Sequence, residues 1–109
     1  MANIIAIQES LANLPEQIRD AGQEFLEAKN ETEKAKLKYE VAMSVATLKS
    51  QETNATRQKA EATIATVEEK GELLKSQLEE ARKENILNYL ENQFVAVRKI
   101  ASLEEKVTY

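Results

Sequence analysis

Apolar residues recur along this chain with a helical period over most of its length. Steps of three and four from Ile4 land on Ile7, Leu11, Leu14, Ile18, Ala21, Phe25, Ala28, Thr32, Ala35, Tyr39, Ala42, Ala46 and Lys49. Only Thr32 and Lys49 in that series are not apolar, so it is a sustained heptad seam and predicts helix. The Ala-rich second half of the seam lets a partner helix approach closely. A flanking row, Leu37, Val41, Val45 and Leu48, widens the apolar face beyond a two-helix seam. Such width asks for a third helix or a second chain.

Pro15 interrupts the seam. Asn13 suits a cap, with Glu16 three residues on in the capping-box position. The pattern therefore predicts a short helix at about 3–12, a bend, and a long helix at about 14–49. SQETNAT, residues 50–56, reads as a polar turn in which Thr53, Asn54 or Thr56 caps the next helix.

A second long helix is predicted at about 57–105. Its first seam is Ala60, Ile64, Val67, Gly71, Leu74, Leu78 and Ala81. In the same register that seam then meets Asn85, Asn88 and Asn92, while the apolar set moves to Leu87, Leu90, Phe94, Val97 and Ala101. At 100° per residue the new stripe lies roughly 130° around the helix from Leu78, which predicts a change of partner near residue 84. Residues 57–82 are expected to pair antiparallel with 20–49. The apolar C-terminal stripe must then cover Ile4, Ile5, Ile7, Leu11 and Leu14, another subunit, or both. Ile4, Ile7, Leu11, Leu87, Leu90, Phe94, Val97 and Ile100 are thus the candidate oligomer interface. The three asparagines form either a solvated row or a polar layer that fixes register.

Composition agrees with this all-α reading. The chain has 109 residues, enough for a single domain, with 31% charged and 42% apolar residues, two Gly and one Pro. Aromatics are scarce, so stability must come from helix seams rather than a broad core. The expected fold is a coiled-coil-like antiparallel helical hairpin with a short N-terminal helix, assembled into a homo-oligomer.

Cys and His are absent, which excludes disulfides, thiol chemistry, imidazole ligands and a His general base. No apolar run reaches the roughly 20 residues of a membrane span. The start, MANIIAIQES, lacks the basic region of a signal peptide. These features point to a cytoplasmic protein with no membrane partner. Glu68-Glu69, Glu79-Glu80 and Glu104-Glu105 are neighbours in sequence without a partner base or ligand set. There is no phosphate loop or zinc spacing, so the expectation is no enzyme, no metal, no cofactor and no small-molecule ligand.

Net charge is −4, so any nucleic-acid contact must be local rather than bulk. Lys49, Arg57 and Lys59 gather about the turn, and Lys34, Lys36 and Lys38 form a run on the first helix. These six are the candidate contacts to DNA phosphates. Glu27, Glu31, Glu33 and Glu40 fall at spacings that instead favour intrahelical pairs. In a ring, modest patches would add along one strand by avidity.

The stretch EKAKLKYEVAMSVATLKS, a polar turn, and a long helix ending in FVAVRKIASLEE resemble small all-helical proteins of the early, recombination-linked regions of phages of Gram-positive bacteria. More distantly the layout resembles the UvsY-type recombination mediators. The likeness covers residues 30–105 and lies in the pattern rather than in a specific motif. It implies a ring-forming protein that binds single-stranded DNA and helps a recombinase displace single-strand-binding protein. Lys34, Lys36 and Lys38 would then face DNA, and Phe94 to Ile100 would belong to the oligomerisation segment. This chain departs from that pattern in being short and acidic.

Two other classes stand beside that reading. An acidic adaptor or inhibitor would use Glu9, Glu16, Asp20, Glu24, Glu27 and Glu31 against a basic groove of a host nuclease or defence protein. A structural coiled-coil protein would bind nothing else. A continuous basic track favours DNA, whereas lysines tied up in ion pairs favour a protein target.

Overall fold

The computed structural model describes residues 4–108, and among them only helix, one turn and a one-residue break at Thr66 occur. Helix α1 spans Ile4–Lys49, α2 spans Ala55–Ala65 and α3 spans Val67–Thr108. Residues up to Leu26 together with those from Arg82 form one packed unit, and Glu27–Ala81 form the other.

Within each unit α1 offers the seam its sequence predicts. Leu14, Ala21, Ala28 and Thr32 are buried, and Ile7, Leu11, Ile18, Phe25, Ala35, Tyr39, Ala42 and Ala46 are half-buried. Ile4 and Lys49, the ends of the series, are exposed. Thr32, the polar member, is satisfied by its hydroxyl, which lies 3.1 Å from both the Ala28 and the Ser76 carbonyl oxygens. One shared hydrogen thus serves its own helix and the facing one.

The separation into two helices expected at Pro15 does not occur. Pro15 lies inside α1, where a proline forfeits one backbone bond and costs about 3 kcal/mol. Leu11, Leu14, Ile18 and Ala21 stay in one inward register across it. Packing of that row offsets the lost bond, and Asn13 caps nothing.

The predicted turn is found at 50–54, with Asn54 the cap. Its Oδ1 accepts from the Thr56 amide at 2.9 Å and the Arg57 amide at 3.4 Å, filling orphan donors of the first turn of α2. The Gln58 side-chain amide donates to the Thr47 carbonyl at 3.0 Å and ties α2 to the end of α1. A break at Thr66, with φ −113° and ψ 20°, divides α2 from α3 and was not expected. The Thr63 and Thr66 hydroxyls both bond back to carbonyls four residues earlier, each at 2.8 Å. Such back-bonding bends helices.

The larger correction concerns which face of α2 and α3 turns inward. The expected seam, Ala60, Ile64, Val67, Gly71, Leu74, Leu78 and Ala81, is exposed at every position. Inward instead lie Ala62, Thr66, Glu69, Leu73, Ser76 and Glu80 in the hairpin unit, and Lys83, Leu87, Leu90, Phe94, Val97, Ala101 and Glu104 in the other. Those positions follow one uninterrupted alternation of four and three, so the partner change expected near residue 84 does not occur. Small residues meet in the hairpin: Ala28, Ala35, Ala42 and Ala46 on α1 face a seam whose one large aliphatic side chain is Leu73. The bulky Ile64, Leu74 and Leu78 would not fit so close an approach. Gly71 sits mid-helix, where it costs about 1 kcal/mol relative to Ala. A Cβ placed on it would meet nothing within 4 Å, so packing within the chain does not require glycine there.

Candidate interaction surfaces

The six cations proposed for DNA are not brought to one place. Lys34 and Lys38 border the same depression, of roughly 320 Å³, together with Lys75, Glu31 and Glu72. Lys75 was not singled out in the sequence; only the pairing of α3 against α1 adds it. Both lysines of α1 are engaged, Lys34 with Glu31 at 3.3 Å and Lys38 with Glu72 at 2.9 Å. Lys36, two residues from each, falls on another side of the helix.

The Glu72 carboxylate, through its hydrogen bond first and its charge second, raises the Lys38 pKa above the ordinary value. A group with a raised folded-state pKa contributes its stability below the unfolded value and loses it as pH rises through the folded one. The Lys38–Glu72 pair should therefore hold through neutral pH and fade only above about 10.5, the ordinary lysine value. Melting curves of the wild type and Lys38→Met are expected to differ slightly at pH 7 and to converge at strongly alkaline pH. A difference that grew with pH would contradict the pairing. Because the pair is exposed, added salt should shrink its effect.

Lys49, Arg57 and Lys59 stand differently. Among the described residues none of the three makes an ion pair. They flank the 50–54 turn, and the first turn of α2 carries no acidic residue. Glu61 is near the tip, but its carboxylate accepts the Ser50 hydroxyl at 2.9 Å. Lys49 also borders a shallow apolar recess formed by Ala42, Val45, Ala46 and Ala65, with Glu61 and Glu69 at its edge. One oxygen of Glu69, Oε2, is buried without a hydrogen-bond partner.

The candidate oligomer interface is split. Ile7, Leu11, Leu87, Leu90, Phe94 and Val97 turn inward and are half-buried within their own unit, while Ile4 and Ile100 are exposed. Much of the C-terminal stripe is thus used inside the chain, covering the N-terminal part of α1 as one of the expected alternatives held. Arg98 lies 5.7 Å from the Phe94 ring centroid. Lys83 sits in the inward row and pairs with Glu24 at 3.0 Å. Asn85, Asn88 and Asn92 are all exposed, so they form no buried polar layer within the chain.

What remains outward in the hairpin unit is apolar to an unusual degree. Leu37, Val41, Val45 and Leu48 line the outer side of α1, and Ile64, Val67, Leu74 and Leu78 the outer side of α2 and α3. Leu48 is 86% exposed, Ile64 74% and Leu78 73%. Among the described residues no cluster of acidic side chains could hold a metal ion, and no helix is long and apolar enough to cross a membrane. Comparison with protein-family models, with curated proteins and with solved structures finds no match to this chain.

Proposed function

We propose that the chain is a non-enzymatic, oligomeric accessory protein of phage DNA recombination or replication that meets single-stranded DNA at the hairpin tip. The observation that carries this reading is the trio Lys49, Arg57 and Lys59, cations without ion-pair partners around one turn. Small polar neighbours (Gln51, Thr53, Asn54 and Thr56) can donate to phosphate oxygens beside them. Lys34 and Lys38 take a lesser part, because carboxylates already hold them. The phage setting rests on the sequence resemblance, and the recombinase or single-strand-binding protein it implies is a partner of the same proposal.

One tip supplies three charges, so useful affinity needs several tips on one strand. Among the described residues no aromatic side chain lies at the tip: Phe25 and Tyr39 are on the inward seam, Lys70 sits 5.0 Å from the Tyr39 ring centroid, and the exposed Tyr89 belongs to the other unit. Binding should accordingly ignore base sequence and weaken steeply with salt. In fluorescence anisotropy with labelled oligo-dT at low salt, the triple variant Lys49→Ala, Arg57→Ala, Lys59→Ala is expected to lose about tenfold or more in affinity. Lys34→Ala with Lys38→Ala should lose less. Absence of binding by the wild type at low salt would end the DNA reading.

A second reading, a protein-binding adaptor, is favoured by the outward row Leu37, Val41, Val45 and Leu48. The acidic face first considered for it is partly neutralised: Arg19 approaches Glu16 at 3.9 Å, and Glu24 and Glu31 are held by Lys83 and Lys34.

A further inference from the structure

Ala60, Ile64, Val67, Gly71, Leu74, Leu78 and Ala81 repeat with alternating steps of four and three, and all are exposed. They form a complete coiled-coil seam turned to solvent. The inward row keeps its spacing across the break at Thr66, so the outward row stays in register as well. The patch is bounded: further along the same line come Asn85, Asn88 and Asn92, which are polar. At 1.5 Å per residue the apolar row is roughly 30 Å long. We propose that this row is the interface of a two-fold symmetric dimer, in which Ala60–Ala81 of one chain packs antiparallel against the same segment of a second copy.

Side-chain size and charge select that arrangement. In an antiparallel seam each a position faces a d position of the partner, and in a two-fold dimer every contact occurs twice. With the axis between Glu72 and Leu73, Val67 faces Leu78 of the second copy, Gly71 faces Leu74, and Ile64 faces Ala81. Each layer thus sets a larger residue against a smaller or β-branched one, and Gly71 leaves room for a leucine. This accounts for a mid-helix glycine that packing inside the chain does not explain. The same register brings Glu68 beside Lys75 of the second copy twice, once on each side of the two-fold axis along one flank of the seam. Both side chains are exposed and make no ion pair among the described residues.

Alternative registers bring like charges together. Shifted one heptad toward the N-terminus, Glu68 meets Glu68 and Lys70 meets Lys70; shifted the other way, Lys75 meets Lys75. A parallel pairing stacks Gly71 on Gly71 and places Lys70 against Lys75. Only the proposed register sets Glu68 against Lys75 without such a clash.

The available area agrees. The chain exposes 8502 Å², whereas a folded monomer of 12.3 kDa is expected to expose roughly 6,100 Å². Each partner of a standard interface buries about 800 Å², so the excess of roughly 2,400 Å² leaves ample area for one.

This inference deepens the oligomeric half of the proposed function and rests on that half alone. It is tested without DNA, by sedimentation equilibrium of the full chain. The wild type is expected at twice the 12.3 kDa chain mass or an even multiple of it. Glu68→Lys and Lys75→Glu should each weaken self-association about tenfold or more, since two attractive pairs become repulsive. The double variant Glu68→Lys, Lys75→Glu should recover it, and an equimolar mixture of the two single variants should form a mixed dimer. All four chains should keep the helical circular dichroism of the wild type. If the wild type associates but the single variants associate equally well, this interface is wrong and the oligomeric reading survives through another face. If the wild type is monomeric at every concentration, both are overturned.

Discussion

Replacing Leu73 by alanine is expected to lower the unfolding free energy by about 2–4 kcal/mol, the usual cost of emptying a well-packed aliphatic site. Leu73 is only 5% exposed and is the large apolar side chain among the inward positions of α2 and α3 in the hairpin unit. Its neighbours on that row, Glu69 and Ser76, cannot refill the space with apolar atoms. Leu78→Ala is the matched control: its side chain is 73% exposed, so removing it from a monomer should cost within about 0.5 kcal/mol. Urea unfolding checks both, at a concentration low enough that any dimer has dissociated, because self-association adds to apparent stability. If Leu78→Ala proved the more damaging, α3 would face α1 with the row first expected from the sequence.

The second large effect is expected from adding atoms. Ala62 is fully buried, at 0% exposure, where α2 lies against the end of α1. Its carbonyl accepts the Thr66 hydroxyl, and that hydroxyl also lies 3.5 Å from the Met43 sulfur. Ala62→Leu must push the helices apart or force a strained rotamer, at a cost of about 1–3 kcal/mol. Ala62→Ser, nearly unchanged in size, should cost less. Thermal melts followed by circular dichroism would report the order. A leucine variant as stable as the wild type would mean that α1 and α2 do not approach as closely as their small residues imply.

The seam of α1 was legible because a single row dominates: from Ile7 to Ala46 no other face offers as many apolar side chains at the right spacing. Asn54 was likewise among the expected caps, and an Asn ahead of a run without Gly or Pro is a local signal. The inward face of α2 and α3 was not legible, for a definite reason. Two rows compete there, and the one richer in Ile, Val and Leu lost. Pairing with an Ala-rich helix rewards close approach, so Ala62, Thr66 and Ser76 serve better than Ile64 and Leu78. Burying the bulkier row would require α1 to supply space it does not have. Hydrophobicity along one helix cannot register that demand, because it belongs to the pair. Pro15 misled for a similar reason: its local penalty is real, but the row Leu11, Leu14, Ile18 outweighs it. Of the candidate DNA residues, the sequence identified the charges but not their partners. Lys38 looked available until α3 brought Glu72 to it, whereas the tip cations stayed unpaired because the turn has few residues to offer them.

Helix α2, at 11 residues, is shorter than the roughly 12–15 residues at which an isolated helix becomes even marginal in water. It persists through its tether to Thr47, its cap at Asn54 and the burial of Ala62. The break at Thr66 leaves it without the support of an unbroken helix behind it. The segment carrying Arg57 and Lys59 is therefore expected to open locally at less cost than the long helices beside it. A tip that can open and close on its own could adapt to an irregular strand, at an entropic cost paid each time it closes.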